Sequence, residues 1–345
     1  RIPVWYKGKR QEFVTETGEV REKIGDKIIT STEDYKDFLE VSTSIPGDES
    51  TWFQDEDVLD TWFSSGQWPF LTLNANENDF DNYYPTQVME TGWDILLFWV
   101  TRMMLLNPYR AEKAGLSDEE KQIPFSNVYL HGLVLDKNGV KMSKSKGNGI
   151  DPFEMMEKYG TDALRFSFVV GNSIGQNYRL YEEKIESYKN FCNKIWNASR
   201  FVFMNTEDVK GEDIEKIDIN DLEYETNKKI LTHVRKVKED VTKFIDKFLF
   251  GLAAQTIYEE FWHGFCDVEI EESKVHIYTF KDKETGEIKS EPKEDEKKET
   301  QKVLIYALKE YLKMLHPFIP FITERLWKEV PKVSTDHESI MFSKW

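Results

Sequence analysis

The spacing of apolar residues changes twice along the chain, and these changes divide it into three predicted regions. Residues 1–50 are polar, with short alternating runs between glycines, which predicts a strand-rich connecting module. Residues 51–180 alternate short apolar runs with helical periodicity, which predicts βαβ units and a parallel sheet. Residues 181–345 follow the helical period almost throughout, which predicts several antiparallel helices. The expected fold class is therefore α/β plus all-α.

Local signals place individual elements in the first two regions. Thr91 and Asp94 fit a capping box at the start of a helix. Asp151 can cap a later helix that has Pro152 at its first position. The predicted elements are strands at 11–15, 27–31, 87–90 and 128–131, and helices at 95–106 and 152–159.

In the helical region, apolar residues recur every three or four positions, as in the stripe from Ile185 to Trp196, which predicts helices with one buried face. Pro317 and Pro320 bracket a predicted helix break. The charged segment 267–300 predicts a solvated hairpin or loop between helices. The side chains expected to pack inward around the break are Phe318, Phe321 and Leu326.

The composition indicates a packed globular protein and narrows the function classes. Hydrophobic residues make up 39% of the 345 residues and aromatic residues 14%, including ten Trp. No apolar run approaches the ~18–20 residues of a membrane span, so no membrane partner is expected. The net charge of −17 argues against broad, non-specific nucleic-acid binding, although it is compatible with a local basic groove.

The cysteines and the N-terminus bear on location and completeness. Cys192 and Cys266 lie far apart and have no metal-ligand spacing, so we expect a reduced, cytoplasmic protein without a metal site of its own. The N-terminal residues lack the basic and apolar segments of a signal peptide. The chain does not begin with Met, which suggests that it was cut from a longer polypeptide.

The most informative segment is the polar stretch 136–148. It begins with Asp-Lys-Asn-Gly, which favours a turn, continues with Lys-Met-Ser-Lys-Ser at 141–145, and ends with Lys-Gly-Asn. A lysine-rich turn is ordinarily a solvated surface feature. Here the complete string resembles the signature loop of the class I aminoacyl-tRNA synthetases. That family places the loop just beyond a strand that ends in His-Gly, which corresponds to His131 and Gly132.

This resemblance implies activation of an amino acid by ATP, with Mg²⁺ accompanying the nucleotide. The reaction is an in-line attack of a carboxylate on the α-phosphate, so positioning and charge neutralisation dominate its catalysis. Lysines on a flexible loop can close over the β- and γ-phosphates as the leaving group gains charge. On this basis Lys144 and Lys141 are expected to be catalytic, and Met142 and Ser143 to bind ATP.

The same resemblance assigns further nucleotide contacts to the segment 89–104, which follows a predicted strand. In the family, the Gly-x-Asp at this turn approaches ATP, which implies that Gly92 lets the backbone come close and that Asp94 accepts hydrogen bonds from the ribose. Ligands of open α/β sheets bind beyond the carboxyl ends of the strands, which agrees with this placement. His131 and Gly132 are expected to hold the adenine.

Two strings resemble the valine-specific branch of the family and imply a side-chain pocket. Ile95 and Trp99 are four residues apart and share a helical face, and Trp62 lies in the string Leu-Asp-Thr-Trp-Phe-Ser-Ser. Such a pocket could exclude larger aliphatic side chains, although one methylene contributes only ~1–3 kcal/mol of discrimination. Core packing is the ordinary explanation of these residues, and an aromatic core cluster is the alternative. That cluster would comprise Trp52, Trp62, Phe63 and Trp68.

The helical region resembles the anticodon-binding bundle of the same family, in the segments 191–201 and 315–327. The implied partners are valine and tRNA(Val). Four basic residues could contact tRNA phosphates or could be ordinary surface charges, and the sequence leaves both interpretations open. These residues are Arg200, Arg235, Lys236 and Lys238.

The chain departs from a complete member of this family. Its six His form no His-x-Gly-His signature, and neither an editing insertion nor zinc-binding cysteines are present. We therefore expect the second half of a Rossmann-like nucleotide-binding domain followed by the helical bundle, inactive without an N-terminal half. That half could be the rest of a longer protein or a separate split-gene partner. The alternatives are a fragment of an isoleucyl-tRNA synthetase and a non-catalytic tRNA-binding protein.

Overall fold

The computed structural model describes most of the chain, and its contacts divide the chain into two compact units. The first unit comprises Arg1–Met89 and Asp94–Val128, and the second comprises Glu90–Trp93 and Tyr129–Trp345. The lysine-rich stretch and the whole predicted helical region therefore belong to the second unit. The described residues are 1–7, 10–14, 20–24 and 27–29 (the last three by their strand backbone), 40–47, 52–55, 57–73, 79–113, 123–282, 285 and 287–345.

Two small antiparallel sheets occupy the N-terminal part of the first unit. One has the order β2-β3-β4 and the other the order β5-β1-β6. In the second sheet Tyr6 lies opposite Phe53, with ring centroids 5.5 Å apart. The strands confirm the predictions at 11–15 and 27–31 over the residues described. Their bounds are β1 (Trp5–Lys7), β2 (Arg10–Val14), β3 (Val20–Ile24), β4 (Lys27–Ile29), β5 (Val41–Ser42) and β6 (Trp52–Gln54).

The rest of the first unit is mostly helical and includes the first parts of two strands, β7 and β8, that continue into the second unit. Strand β7 is hydrogen-bonded to β8, and α4 lies between them in the sequence. The elements are α1 (Thr61–Ser65), α2 (Trp68–Leu73), α3 (Asp79–Tyr83), β7 (Thr86–Gly92), a 3₁₀ turn (Trp93–Ile95), a π-helix (Leu96–Val100), α4 (Thr101–Lys113) and β8 (Phe125–His131).

Strands β7 and β8 confirm the strands predicted at 87–90 and 128–131, and helical structure begins after Ile95 as the periodicity predicted, whereas the capping box was predicted wrongly. Thr91 still belongs to β7, and the π-helix has Ile95 at its N-cap without a side-chain hydrogen bond. The predicted capping box therefore does not begin this helix. The β-ladder continues two residues further than the local signal suggested, because pairing with β8 competes with capping for the same residues.

The second unit begins with a small parallel pair of strands and then becomes helical. Strand β9 pairs with β10 in parallel register, with Tyr178 opposite Val134. The elements are β9 (Val134–Leu135), a 3₁₀ turn (Lys144–Lys146), α5 (Pro152–Tyr159), α6 (Thr161–Val169), β10 (Tyr178–Arg179), α7 (Glu182–Asn205), α8 (Gly211–Ile214), a 3₁₀ turn (Ile219–Asp221), α9 (Glu225–Asp246), α10 (Phe250–Glu259), a π-helix (Glu260–Glu269), α11 (Ile270–Ser273), a 3₁₀ turn (Lys274–His276), β11 (Phe280–Lys281), β12 (Ile288–Ser290), α12 (Glu294–Leu315), α13 (Pro320–Trp327) and a last 3₁₀ turn (Ile340–Phe342).

Helix α5 begins where the sequence predicted. The side chain of Asp151 accepts a hydrogen bond from the Phe153 amide at 2.8 Å, and Pro152 occupies the first turn.

Gly160 separates α5 from α6 and has a φ of 92°, a conformation that a β-carbon would disfavour. Phe166 on α6 is fully buried and stacks on Phe191 of α7 at 5.3 Å, so α6 belongs to the core of the helical bundle.

The centre of that core is α12, which is buried on nearly every side from Val303 to Leu315. Its two buried charges, Lys309 and Glu310, are paired with Asp336 and Lys238 at 2.5 and 2.6 Å. Buried charges are tolerated only when they are paired in this way. The break between α12 and α13 confirms the prediction from the two prolines.

Two residues predicted to pack inward are exposed. Phe318 and Leu326 are buried as expected, but Phe321 is 63% exposed and Trp196 is 43% exposed. Periodicity identifies the general face of a helix and cannot set the width of its buried stripe. Phe321 lies in the first turn of α13, where the backbone amides rather than the side chain are engaged.

The charged segment 267–300 is a hairpin only in its middle. Strands β11 and β12 pair antiparallel, which confirms the predicted hairpin. Residues 267–276 remain helical, and α12 already begins at Glu294. Three acidic residues occupy the first turn of α12, where the helix dipole stabilises negative charge. Among the residues that the structure describes, no helix combines the length and the apolar character that a bilayer crossing requires.

Candidate active site

A network of hydrogen bonds shapes the lysine loop, which we define as residues 136–148. The carboxylate Oδ1 of Asp136 accepts hydrogen bonds from the backbone amides of Asn138 and Val140, both at 2.9 Å. The amide nitrogen of the Asn148 side chain donates to Asp136 Oδ2 at 2.9 Å, and its oxygen accepts from the backbone amide of Ser143 at 3.0 Å. The two ends of the loop are therefore joined directly, twelve residues apart.

The backbone of the loop is also tied to strand β9. Lys141 forms an antiparallel bridge with Leu135, and the amide of Met142 donates to the carbonyl of Val134 at 3.3 Å. The half-buried Met142 side chain packs against the small core around Met155. Lys144 starts the 3₁₀ turn, and its side chain lies outside the described residues. Backbone contacts with β9 thus fix the base of the loop.

His131 and Gly132 lie at the end of β8, just before β9 and the loop. The imidazole Nε2 of His131 is 3.4 Å from Glu90 Oε1 on β7, and both side chains are about half exposed. Gly132 is buried, and a β-carbon at this position would lie 1.7 Å from the carbonyl oxygen of Gln176. Close packing of two backbone segments therefore accounts for a glycine at 132, independently of any ligand.

Asn177 joins this strand end to the end of β7, a role that sequence patterns did not indicate. Its side-chain oxygen accepts from the indole nitrogen of Trp93 at 3.0 Å and from the backbone amide of Leu133 at 2.8 Å. Gly92, one residue before Trp93, is buried at the end of β7. Within the second unit, Gly92, His131 and Gly132 thus lie at the ends of two hydrogen-bonded strands that precede the lysine loop. Asp94 is an exposed residue of the first unit, in the 3₁₀ turn after β7.

The residues expected to form the amino-acid pocket all belong to the first unit. Helix α1 carries Trp62 and packs against the π-helix that carries Trp99. The indole nitrogen of Trp99 donates to the carbonyl of Ser65 at 3.0 Å. The ring of Trp62 lies 5.8 Å from that of Phe98. Trp62, Ile95 and Trp99 are all partly buried.

Helix α4 supports this arrangement through a buried amide. Asn107 is fully buried and donates to the carbonyls of Gly66 and Met103 at 3.2 and 2.7 Å. Gly66 has no room for a side chain, because a β-carbon would lie 2.8 Å from Leu106 Cδ1. The end of α1 is therefore held by donors from both the π-helix and α4. Sequence analysis did not identify Asn107, since an isolated Asn within a helix gives no signal of its partner.

The alternative aromatic core cluster is not formed in the described structure. Trp68 and Phe63 are 59% and 39% exposed, so they do not belong to a buried core with Trp62. The buried aromatic cluster of this region comprises Phe70, Phe80 and Tyr84 instead. Trp62 and Trp99 thus differ from Trp68, because only the first two lie at the packed contact between α1 and the π-helix.

The helical bundle contains a surface cavity of about 460 Å³ between α7 and α13. Trp196 and Arg200 of α7 and Arg325 of α13 contribute to its lining. The carboxylates of Glu207 and Glu329 also line the cavity, and Arg325 is paired with Glu329 at 2.8 Å. Three other basic residues considered above serve within the protein. Arg235 donates to the carbonyl of Ile217, Lys236 pairs with Asp240, and Lys238 pairs with Glu310.

Comparison with known proteins assigns the class. Residues 1–180 match the family model of class I tRNA synthetases (I, L, M and V), and residues 227–345 match the anticodon-binding domain of tRNA ligases. The chain belongs to the class I tRNA synthetase family. The fold agrees with this assignment: a LeuRS from Agrobacterium radiobacter K84, in a complex with tRNA and LeuAMS, covers the whole chain with a TM-score of 0.70 at 18% identity.

Within the family, the chain is similar to valine–tRNA ligases. That of Bacillus cereus ATCC 10987 is 42% identical over 348 residues, and that of Bacillus subtilis 168 is 40% identical; each alignment covers 100% of this chain. The chain spans 34% of the length of these curated relatives, about one third. A methionyl-tRNA synthetase from Mycobacterium tuberculosis, in complex with methionyl-adenylate, matches 73% of the chain and 46% of its own length, with a TM-score of 0.53 at 19% identity.

Proposed function

We propose that this chain is part of a valine–tRNA ligase and supplies its lysine loop, part of its valine pocket and its tRNA-binding helical bundle. The observation that carries the proposal is the 40–42% identity to valine–tRNA ligases over the entire chain. The site geometry supports it, because the lysine loop lies only a few residues beyond the end of β8, which is paired with β7. Such strand ends are the usual position of a ligand in an α/β sheet.

The nucleotide would bind beside Gly92, His131 and Gly132, with Asp94 accepting hydrogen bonds from its ribose. Met142 and Ser143 would contact ATP through the backbone of the loop, and Lys141 and Lys144 would neutralise the phosphates. In the activation step a carboxylate oxygen of valine bonds to the α-phosphorus. The bond from that phosphorus to the bridging oxygen breaks, and pyrophosphate leaves with the electron pair. Lysine charge placed on the leaving group lowers this barrier.

Mg²⁺ would enter with the phosphates of ATP rather than in a protein cage. Among the described residues, no group of three or more His, Cys, Asp or Glu side chains could hold a metal ion. Mg²⁺ commonly keeps several waters and binds through substrate phosphates, which is compatible with such a chain.

Trp62, Ile95 and Trp99 would line the pocket for the valine side chain. Two rigid indoles and a branched aliphatic side chain form apolar walls that exclude larger side chains sterically. Discrimination against isoleucine by one methylene is limited to ~1–3 kcal/mol, and threonine is rejected still less well. The pocket thus favours valine by shape and would leave errors for a separate editing activity.

After activation, a hydroxyl of the terminal ribose of tRNA(Val) would attack the carbonyl carbon of valyl-adenylate, and AMP would leave. The helical bundle would bind this tRNA. The cavity lined by Trp196, Arg200 and Arg325 supports this role, because aromatic rings and guanidinium planes stack on unpaired bases. Binding through phosphates would weaken steeply with added salt.

Cys192 and Cys266 are free, and burial raises the pKa of each thiol to about 12, which suits a reducing cytoplasm.

The proposal is tested by combining this chain with the N-terminal region of the Bacillus subtilis relative, a combination that we term the completed enzyme. The chain alone should lack valine-dependent ATP–pyrophosphate exchange, and the completed enzyme should show it. Exchange with isoleucine in place of valine would instead indicate an isoleucyl enzyme. Binding of tRNA(Val) without any exchange would indicate a non-catalytic protein.

Lys144→Ala in the completed enzyme should lower the exchange rate at least ~10-fold, because it removes charge from the developing pyrophosphate. Lys137→Ala is the matched control, since Lys137 is an exposed lysine of the preceding turn. An equal effect of both substitutions would show that the loop contributes only general positive charge. An unchanged rate in Lys144→Ala would remove the catalytic role assigned to that residue.

A further inference from the structure

The contact between Asp136 and Asn148 differs from an ordinary surface turn. Asp136 Oδ1 already accepts two backbone amides of the turn, and its second oxygen accepts from the side chain of Asn148. Asn148 in turn accepts the backbone amide of Ser143. The four interactions form one chain that runs from the start of the lysine loop through its end and back to its middle.

The orientation of the Asn148 amide follows from its partners. A carboxylate can only accept and a backbone amide can only donate, so the nitrogen of Asn148 must face Asp136 and its oxygen must face Ser143. Asn148 Nδ2 is also 3.4 Å from the carbonyl of Lys141, on the same side of the loop. The hydrogen bond from Asn148 is the largest of the influences that hold the pKa of Asp136 below its usual value. Asp136 therefore stays ionised, and charge-assisted hydrogen bonds of this kind are stronger than neutral ones.

We propose that Asp136 and Asn148 are positioning residues that latch the lysine loop to strand β9 and thereby set its approach to the triphosphate. The inference rests on the proposed function for its catalytic meaning, whereas the latch itself is a property of this chain. The latch acts on Ser143 and on the backbone of Lys141, which are residues of the Lys-Met-Ser-Lys-Ser string. A loop held at its base by side chains can move its tip toward phosphates without losing its register on β9.

The chemistry of the pair allows an exchange of the two side chains. In Asp136→Asn alone, the introduced amide keeps its oxygen on the turn and directs its nitrogen at the nitrogen of Asn148. In Asn148→Asp alone, the introduced carboxylate faces the carboxylate of Asp136. Either change opposes like groups, while the double substitution restores one donor opposite one acceptor with the direction reversed. Rescue by the double variant is therefore specific to a direct contact.

The first test measures hydrogen exchange at the Ser143 and Val140 amides in the chain itself. Each single substitution should accelerate exchange at Ser143 by about 10-fold, and the double variant should return it to within about 3-fold of the parent. Asn138→Asp is the matched control, because it makes the same chemical change on an exposed side chain of the same turn. Equal exchange in the parent and in all variants, or failure of the double variant to recover, would overturn the latch.

The second test measures the kinetics of the completed enzyme. Each single substitution should raise the KM for ATP by at least ~5-fold with the KM for valine unchanged, and the double variant should recover. Faster hydrogen exchange without any change in the ATP kinetics would overturn the positioning role and leave the proposed function intact. If the completed enzyme without substitutions showed no valine-dependent ATP–pyrophosphate exchange, the proposed function would be overturned. The hydrogen-exchange measurement would then test the latch on its own.

Discussion

The indole nitrogen of Trp99 donates a hydrogen bond to the carbonyl of Ser65 at 3.0 Å. Ser65 ends helix α1, and Trp62 lies one turn earlier on the same helix. One of the two indoles proposed to contact valine therefore holds the helix that carries the other. The geometry of the pocket depends on this bond, since α1 contains only five residues and is too short to be stable alone.

Replacing Trp99 with Phe should therefore impair recognition of valine more than it impairs folding. The substitution keeps an aromatic ring but leaves the Ser65 carbonyl without its donor, which costs about 1–2 kcal/mol. We expect the KM for valine to rise ~5- to 30-fold in the completed enzyme, and discrimination against isoleucine to fall. Trp68→Phe is the control, because Trp68 is exposed on α2. If both variants changed the KM for valine by a similar factor, the hydrogen bond from Trp99 to Ser65 would not be the cause of the effect on valine recognition.

Features that depend on neighbouring residues were predictable from the sequence. The start of α5 at Asp151 and Pro152, the turn after Asp136 and the break between the last two helices all follow local rules of capping and proline geometry. The type and spacing of residues in the lysine loop also identified the correct family. These signals are contained within a few consecutive residues, so they can be recognised without knowledge of the tertiary fold.

Features that depend on distant partners were not predictable. Asn148, Asn177 and Asn107 each join segments through side-chain amides, and an Asn gives the same local signal whether or not such a partner exists. The exposure of Phe321 and Trp196 depends on which helices cover them. The charged residues before Val303 were assigned to a loop, although acids in the first turn stabilise α12. Tertiary packing determines the exposure of these side chains, and the helix dipole favours the acidic start of α12.

Substitution of Gly132 separates its packing role from any contact with the nucleotide. A β-carbon would lie 1.7 Å from the carbonyl of Gln176, so one backbone segment must move. We expect Gly132→Ala to destabilise the chain by at least ~2 kcal/mol in urea unfolding. Gly149→Ala is the control, since nothing lies within 4 Å of its β-carbon. A stable Gly132→Ala chain with lost ATP binding would contradict the packing explanation.

Asp162 on α6 should contribute strongly to stability, because it binds the start of α13. Its carboxylate accepts from the backbone amides of Phe321 and Ile322 at 3.2 and 2.7 Å, and the residue is buried. Burial outweighs these hydrogen bonds and raises the pKa of Asp162. We expect Asp162→Ala to cost ~1–3 kcal/mol in urea unfolding, and Asp162→Asn to cost less because one acceptor remains. The exposed Asp208 provides the control, and an equal loss in Asp208→Ala would refute the assignment.

His233 should make the stability of the helical bundle depend on pH. Its Nδ1 lies 2.6 Å from Glu269 Oε1 and its Nε2 lies 3.0 Å from Glu260 Oε2. The hydrogen bond to Glu269 is the main cause that raises the pKa of His233 above 6.5. The pKa of Glu269 is also raised, chiefly by burial. The folded protein thus binds protons more tightly than the unfolded chain at both groups.

The sign of the pH dependence follows from these two directions. A raised pKa in the folded state gives a stabilisation that is complete below the unfolded value, about 6.5 for His, and is lost as pH rises through the folded value. The free energy of unfolding contributed by this cluster should therefore fall as pH rises above about 6.5. His233→Gln should remove the part of that fall that belongs to the imidazole, and it should cost ~1–3 kcal/mol near pH 6, where the carboxylates lose their charged partner.

Urea unfolding between pH 6 and pH 9 measures this difference between the parent and His233→Gln. His263→Gln is the matched control, because His263 also faces a carboxylate, Asp267 at 3.1 Å, but is mostly exposed. The control should keep the pH dependence of the parent. If His233→Gln retained the same slope, the proton would be held elsewhere in the cluster, and Glu269, whose pKa burial raises, would be the next group to replace.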